Sequence, residues 1–201
     1  MGQSEHLNLD PVAELIERAK NGNERAFADL VKQFENTVYS FAFKVCRDRE
    51  KAVETVQDTF VNVYLKLGQF DGNSKFSTWL YSIVANNCLM KRRKSKLEES
   101  SVPIDDQFEI RSEDLASYIT PWEPGPVDAM LSSELKDLLD NAIKKLPMEY
   151  RVVFVMRDVE NMSGEEVAEV LGLSIPAMKS RLRRARLFLR NELQPYMEAE
   201  A

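Results

Sequence analysis

Between Glu169 and Glu192 the chain carries Lys179, Arg181, Arg183, Arg184, Arg186 and Arg190 with no acid among them. Cations at this density neutralise phosphates, and those that reach a groove floor read base edges. Lys179, Arg183, Arg186 and Arg190 follow at intervals of four, three and four, so a helix places them on one face. Met178, Leu182, Ala185 and Leu189 also recur at helical spacing and give that helix an apolar side for its own domain. A solvated surface helix would mix acids with bases, and this segment does not. The chemistry indicated is nucleic-acid binding.

A second basic block, Lys91-Arg92-Arg93-Lys94-Ser95-Lys96, comes after Phe76, Trp79, Tyr81, Asn86 and Asn87. Rings stack on unpaired bases, amides read their edges and cations hold the backbone. Taken singly, Phe76 and Trp79 read first as core residues, together with Leu80, Ile83 and Val84, but the loop before them and the basic tail after them do not follow from packing.

Helices must position both groups. Ser163 with Glu166 is a capping box, Gly172 suits a left-handed helix end, and Ser174 caps a second helix. Residues 163–190 therefore read as a helix-turn-helix, with Val167, Val170 and Leu171 as its first apolar face. Upstream, Leu131 to Leu146 repeats apolar residues until Pro147, and Met148–Val159 makes another helix beneath the pair. After Arg190 the tail is expected to fray through Pro195. Near the N-terminus, Asp10-Pro11 opens a helix to Lys20, and Asn21-Gly22-Asn23 ends it. From Glu24, the residues Phe27, Leu30, Val31, Phe34, Val38, Phe41, Ala42 and Val45 trace a wide core stripe. Lys51–Leu67 places Val53, Val56, Phe60, Val63, Tyr64 and Leu67 on a second stripe, with Glu54, Gln57 and Asp58 opposite as a solvated acidic patch. Gly68 stops that helix, residues 69–75 form a loop, and Ser77 caps the next helix.

The 201 residues carry a net charge of −6, yet bases are concentrated in two blocks, and the local field rather than the sum steers a polyanion. Sparse Pro and Gly and long Ala/Leu/Glu/Lys/Arg segments indicate an all-α protein. From Leu97 to Asp128, nine acids face Arg111 alone among Pro103, Pro121, Pro124 and Pro126, the composition of a mobile acidic linker. The parse is a domain at 1–96, a linker at 97–128 and a second domain at 129–201. Cys46, Cys88 and His6 make no zinc set; the thiols read as buried and free in a reducing cytosol. No apolar run approaches the roughly 20 residues of a membrane span. No metal, cofactor, catalytic residue or small-molecule substrate is expected, so the chain is read as a cytoplasmic protein that is not an enzyme.

The order of these pieces resembles a sigma factor of the extracytoplasmic-function branch of the sigma-70 family, over roughly Ala26–Lys94 and Ala129–Leu193. Residues 52–60, AVETVQDTF, are similar to the family's A-E-D-L-x-Q-E-x-F, and residues 78–86, TWLYSIVAN, to T-W-L-Y-R-I-A-x-N. Leu146-Pro147 with Arg151 resembles L-P-x-x-x-R, and Met162–Arg186 follows the family's helix-turn-helix pattern. Val53, Thr55 and Met90 depart from it, as do Pro176, Ala177 and Met178 at the opening of the recognition helix. The resemblance implies a dissociable initiation factor of a stress or envelope response that binds bacterial core RNA polymerase and promoter DNA and is held by an anti-sigma factor. It assigns Glu54, Gln57, Asp58 and Phe60 to core polymerase, against the solvated-patch reading. It assigns Phe70, Asn73, Lys75, Phe76, Trp79, Tyr81, Asn86, Lys91, Arg92, Arg93 and Lys94 to the −10 element. To the −35 element it assigns Ser174, Pro176, Ala177, Lys179, Ser180, Arg181, Arg183, Arg184 and Arg186. A free-standing helix-turn-helix regulator would instead bind operators without polymerase, and a helical decoy would bind polymerase without DNA.

Overall fold

A computed structural model of the chain describes the backbone of residues 11–98 and 133–199 and the side chains of residues 11–93 and 137–196. Among the described residues all regular structure is helical: α1 (Pro11–Lys20), α2 (Glu24–Cys46), α3 (Arg49–Lys66), α4 (Phe76–Glu98), α5 (Ser133–Lys145), α6 (Met148–Phe154), α7 (Gly164–Leu171) and α8 (Ile175–Ala199). A 3-10 turn at Leu67–Gln69 succeeds α3, and a π turn at Val155–Val159 continues α6. The chain divides into two compact units, one to Cys88 and one from Leu89. The expected linker at 97–128 lies almost wholly outside the described residues, α4 running on through Glu98. Among the described residues no helix is long and apolar enough to cross a membrane.

In the first unit, local chemistry sets the breaks. Asn23 caps α2 by accepting from the Ala26 amide at 3.0 Å, and Asp48 caps α3 by accepting from Lys51 at 3.0 Å. Arg47 closes α2 in the left-handed region at φ 54°, its amide donating to Phe43 at 2.8 Å. Leu30, Val38, Phe41, Ala42 and Val45 are buried as their spacing predicts.

The stripe expected on α3 is rotated. The buried residues are Ala52, Thr55, Thr59 and Val63, while Val53 and Tyr64 are exposed. Small side chains let α3 lie close against α2, and the buried hydroxyls have partners: Cys46 Sγ lies 3.9 Å from Thr55 Oγ1, and Asn87 donates to Thr59 Oγ1 at 3.2 Å. Cys88 is buried and Cys46 half-buried, both as free thiols. The next helix starts before its expected cap: α4 opens at Phe76, where the Lys75 carbonyl accepts from the Trp79 amide, so Ser77 lies inside it.

In the second unit, Ala142, Ile143, Leu146, Tyr150, Ala185 and Leu189 form one core of α5, α6 and α8. The capping box is present: Ser163 Oγ accepts from the Glu166 amide at 3.1 Å, and Glu166 accepts from the Ser163 amide at 2.7 Å. Ser163→Ala is expected to cost about 1 kcal/mol of stability, seen as a lower melting temperature with the structure of α8 retained. Helix α8 does not fray at Pro195. The ring is exposed near the helix end, where water can satisfy the carbonyl that the missing N–H would have paired.

Candidate nucleic-acid interface

On the outer side of α3, Glu54, Gln57 and Asp58 are exposed and Phe60 is half-buried. Beside them stand Val53 (46% exposed), Val61 (61%), Tyr64 (63%) and Leu65 (69%). Carboxylates mixed with large apolar groups at this exposure suit a protein partner better than bare solvent. Val61 and Leu65 are not among the residues expected from the sequence. Their signal is that they fit no buried stripe.

The loop after α3 is anchored by aromatics. Phe70 and Phe76 are buried, with ring centroids 5.3 Å apart, and Phe34 meets Phe76 at 5.1 Å. Trp79 joins them at 5.3 Å from Phe70 and 5.6 Å from Phe76, and Lys20 caps the Phe70 ring at 5.7 Å. Phe70 and Phe76, expected at DNA, are thus packing residues that hold the loop's ends. Between them Asp71–Lys75 is exposed. Asp71, which no sequence motif singles out, accepts from the Asn73 amide at 3.0 Å and from Asn73 Nδ2 at 2.6 Å. The Asn73 backbone N–H holds the Asp71 carboxyl below its usual range, with a weaker pull from Lys20. The clasp fixes Asn73 with its carbonyl oxygen as the open acceptor.

Along α4, Asn86, Met90 and Arg93 are exposed at intervals of four and three. Tyr81 is half-buried with its ring centroid 4.5 Å from that of Phe41. Asn87 ties α4 to α3, accepting from Asn62 at 3.1 Å and donating to Thr59. Lys91 is half-buried, and Arg92, within the second unit, donates to Glu149 at 3.0 Å. Lys94 lies outside the residues whose side chains are described.

In the helix-turn-helix, Gly172 takes φ 61° at the turn, and Ser174 caps α8 by accepting from the Ala177 amide at 3.3 Å. Gly164 sits close over α8: a Cβ there would lie 2.9 Å from Met178 Cε. Buried Met178, Leu182, Ala185 and Leu189 seat α8 on its domain, as their spacing predicts. Pro176, Lys179, Ser180, Arg183, Arg184 and Arg190 are exposed, while Ala177 and Arg181 are half-buried. Arg184 also donates to the Tyr150 hydroxyl at 3.3 Å. Arg186 departs from the expected row. Its Nε donates to Asp158 Oδ2 at 2.8 Å and its Nη2 to Oδ1 at 2.6 Å, a two-pronged ion pair that raises the guanidinium pKa.

Comparison with known proteins agrees with this arrangement. Residues 30–98 match the family model described as Sigma-70 region 2, and residues 136–189 match Sigma-70, region 4. The chain is 31% identical over 182 residues to the ECF RNA polymerase sigma factor SigW of Bacillus subtilis, covering 89% of this chain and 95% of that one. The structure of CnrH in complex with the cytosolic domain of CnrY is similar at a TM-score of 0.59 and 26% identity, covering 96% of this chain and all of that one. The sigma factor RpoE, solved with the anti-sigma factor NepR from Bartonella quintana, shares the fold at a TM-score of 0.61 and 23% identity, covering 84% and 96%. Region 2 and then region 4 are thus matched in order along one chain, which belongs to the sigma-70 family of RNA polymerase sigma factors, in its extracytoplasmic-function branch.

Proposed function

We propose that this chain is a dissociable initiation subunit of the cytoplasm, without chemistry of its own, that carries bacterial core RNA polymerase to −35 and −10 promoter elements. Residues 1–96 would hold core polymerase and open the −10 element, 97–128 would link, and 129–201 would read the −35 element. Glu54, Gln57 and Asp58, with Val53 and Val61, face the polymerase. Asn73 and Lys75 meet an unstacked base of the −10 strand, and Asn86, Arg93 and the basic residues beyond them hold its backbone. Pro176, Lys179, Ser180 and Arg183 enter the major groove. Two weak contacts joined through one polymerase give avidity that neither has alone.

The observation that carries this reading is the exposed row Pro176, Lys179, Ser180 and Arg183 on a helix whose start is fixed by Gly172 and Ser174. A seated helix with its polar row outward is the form that docks in a groove. An anti-sigma factor is the expected regulator, consistent with the complex in which RpoE was solved.

Reconstituted transcription with purified core tests the proposal. Promoter-dependent transcripts that require the chain support it, and footprints on symmetric operators without core would replace it with a free-standing regulator. Within that assay, Lys179→Ala is expected to cost about 1–3 kcal/mol at particular −35 positions. An equal loss on every sequence would reassign Lys179 to phosphate.

A further inference from the structure

By spacing alone Arg186 is the next cation after Lys179 and Arg183 on one stripe of α8, within reach of the same phosphates. The fold turns it elsewhere. Asp158 stands in the π turn Val155–Val159, and its two oxygens take both prongs of the guanidinium. The pair is not a buried anchor, for the Arg186 side chain stays 39% exposed and that of Asp158 22%. Packing at this level of α8 is supplied by the neighbouring Ala185, Leu189 and Leu182. A cation with no core to hold, yet held by both oxygens of an acid, calls for another reason.

Phosphate contacts add affinity for any sequence, whereas base contacts add discrimination. Each further cation on the DNA face therefore strengthens binding to every sequence alike, and so holds more of the chain on DNA that carries no promoter. We propose that Asp158 keeps Arg186 off the DNA and thereby limits the sequence-independent affinity of the second unit and its dependence on salt. Asp158 is on this view a residue that restrains non-specific binding without touching DNA. The inference rests on the function proposed for this chain.

The test uses the full chain bound to core polymerase, a promoter fragment selected from a randomised pool, and the same fragment with its −35 block scrambled. Binding to both is measured between about 50 and 200 mM salt, the range over which phosphate contacts show. Asp158→Asn, which reduces the fork to a neutral contact, is expected to steepen the plot of log affinity against log salt by about 0.9 on both fragments. Binding to both fragments rises by a similar factor at low salt, so the preference for the intact one is retained. Arg186→Gln is expected to leave the slope at its original value, and the double variant to return to it. A fold defect alone would lower affinity without steepening the slope.

Two results overturn the inference: an unmoved slope for Asp158→Asn, or a slope flattened by about 0.9 in Arg186→Gln, which would place Arg186 on a phosphate already. Should Asp158→Asn fail to fold, Arg186→Gln decides alone. An unsubstituted complex that does not prefer the intact fragment overturns the proposed function and this inference with it. A preference retained beside an unmoved Asp158→Asn slope overturns the inference only.

Discussion

Asp58→Arg is expected to lower promoter-dependent transcription roughly 30-fold or more at limiting concentrations of the chain. The carboxylate is exposed on the outer side of α3, one turn from Glu54 and adjacent to Gln57, and apolar Val53 and Val61 lie on the same side. Reversing a charge at such a contact removes an attraction and adds a repulsion, together about 2–5 kcal/mol. Since about 1.4 kcal/mol is tenfold, the low end of that range already gives the stated loss. The fold is expected to be unmoved, because α3 buries Ala52, Thr55, Thr59 and Val63 on its other side. Exposed substitutions away from a core usually stay within about 0.5 kcal/mol. Excess chain should restore transcription, which marks the defect as one of affinity. If transcription saturates at the same concentration as the unsubstituted chain, Asp58 does not face polymerase.

That face also shows what can be read from residues alone. The helix-turn-helix is legible because its signals are local: Ser163 with Glu166, Gly172 at the turn and Ser174 as a cap act within four residues of their partners. The seating of α8 by Met178, Leu182, Ala185 and Leu189 comes from periodicity for the same reason. On α3 periodicity fails. Hydrophobicity cannot distinguish an apolar group turned to the core from one turned to a partner, so Val53 and Tyr64 read as buried when they are not. Nor does it anticipate that Thr55 and Thr59 go inside, which depends on Cys46 and on Asn87 of another helix. Arg186 is beyond local reading too, since Asp158 lies 28 residues away and reaches it only through the fold. Phe76 is open in sequence between base stacking and core, and Phe70 is given to DNA by the resemblance alone; their burial among Phe34 and Trp79 comes only from the fold.

Arg151→Met is expected to lower the melting temperature of the second unit by more than about 12 °C while leaving the first unit's transition in place. Pro147 follows α5 without offering an amide to it, and Leu146 beside it is buried in the core. Arg151 reaches back to this junction. Its Nη2 donates to the Lys144 carbonyl at 2.7 Å and to the Leu146 carbonyl at 2.6 Å, from a side chain in a residue only 8% exposed. Methionine fills much of the same space, so the loss comes from hydrogen bonding rather than from a cavity. Bonds to a charged donor contribute about 1.5–3 kcal/mol each, and one buried and one partly buried acceptor lose their partner, for a total near 3–5 kcal/mol. For a domain of this size about 1 kcal/mol corresponds to 4–8 °C, and the loss takes a large share of ordinary stability. Amide hydrogen exchange separates the units: protection should fall across α5, α6 and α8 and persist in α2 and α3. A shift below about 4 °C would mean that water replaces the guanidinium at little cost. With the large shift, the variant should still occupy polymerase through α3 yet fail at the −35 element, so excess variant should compete with the intact chain.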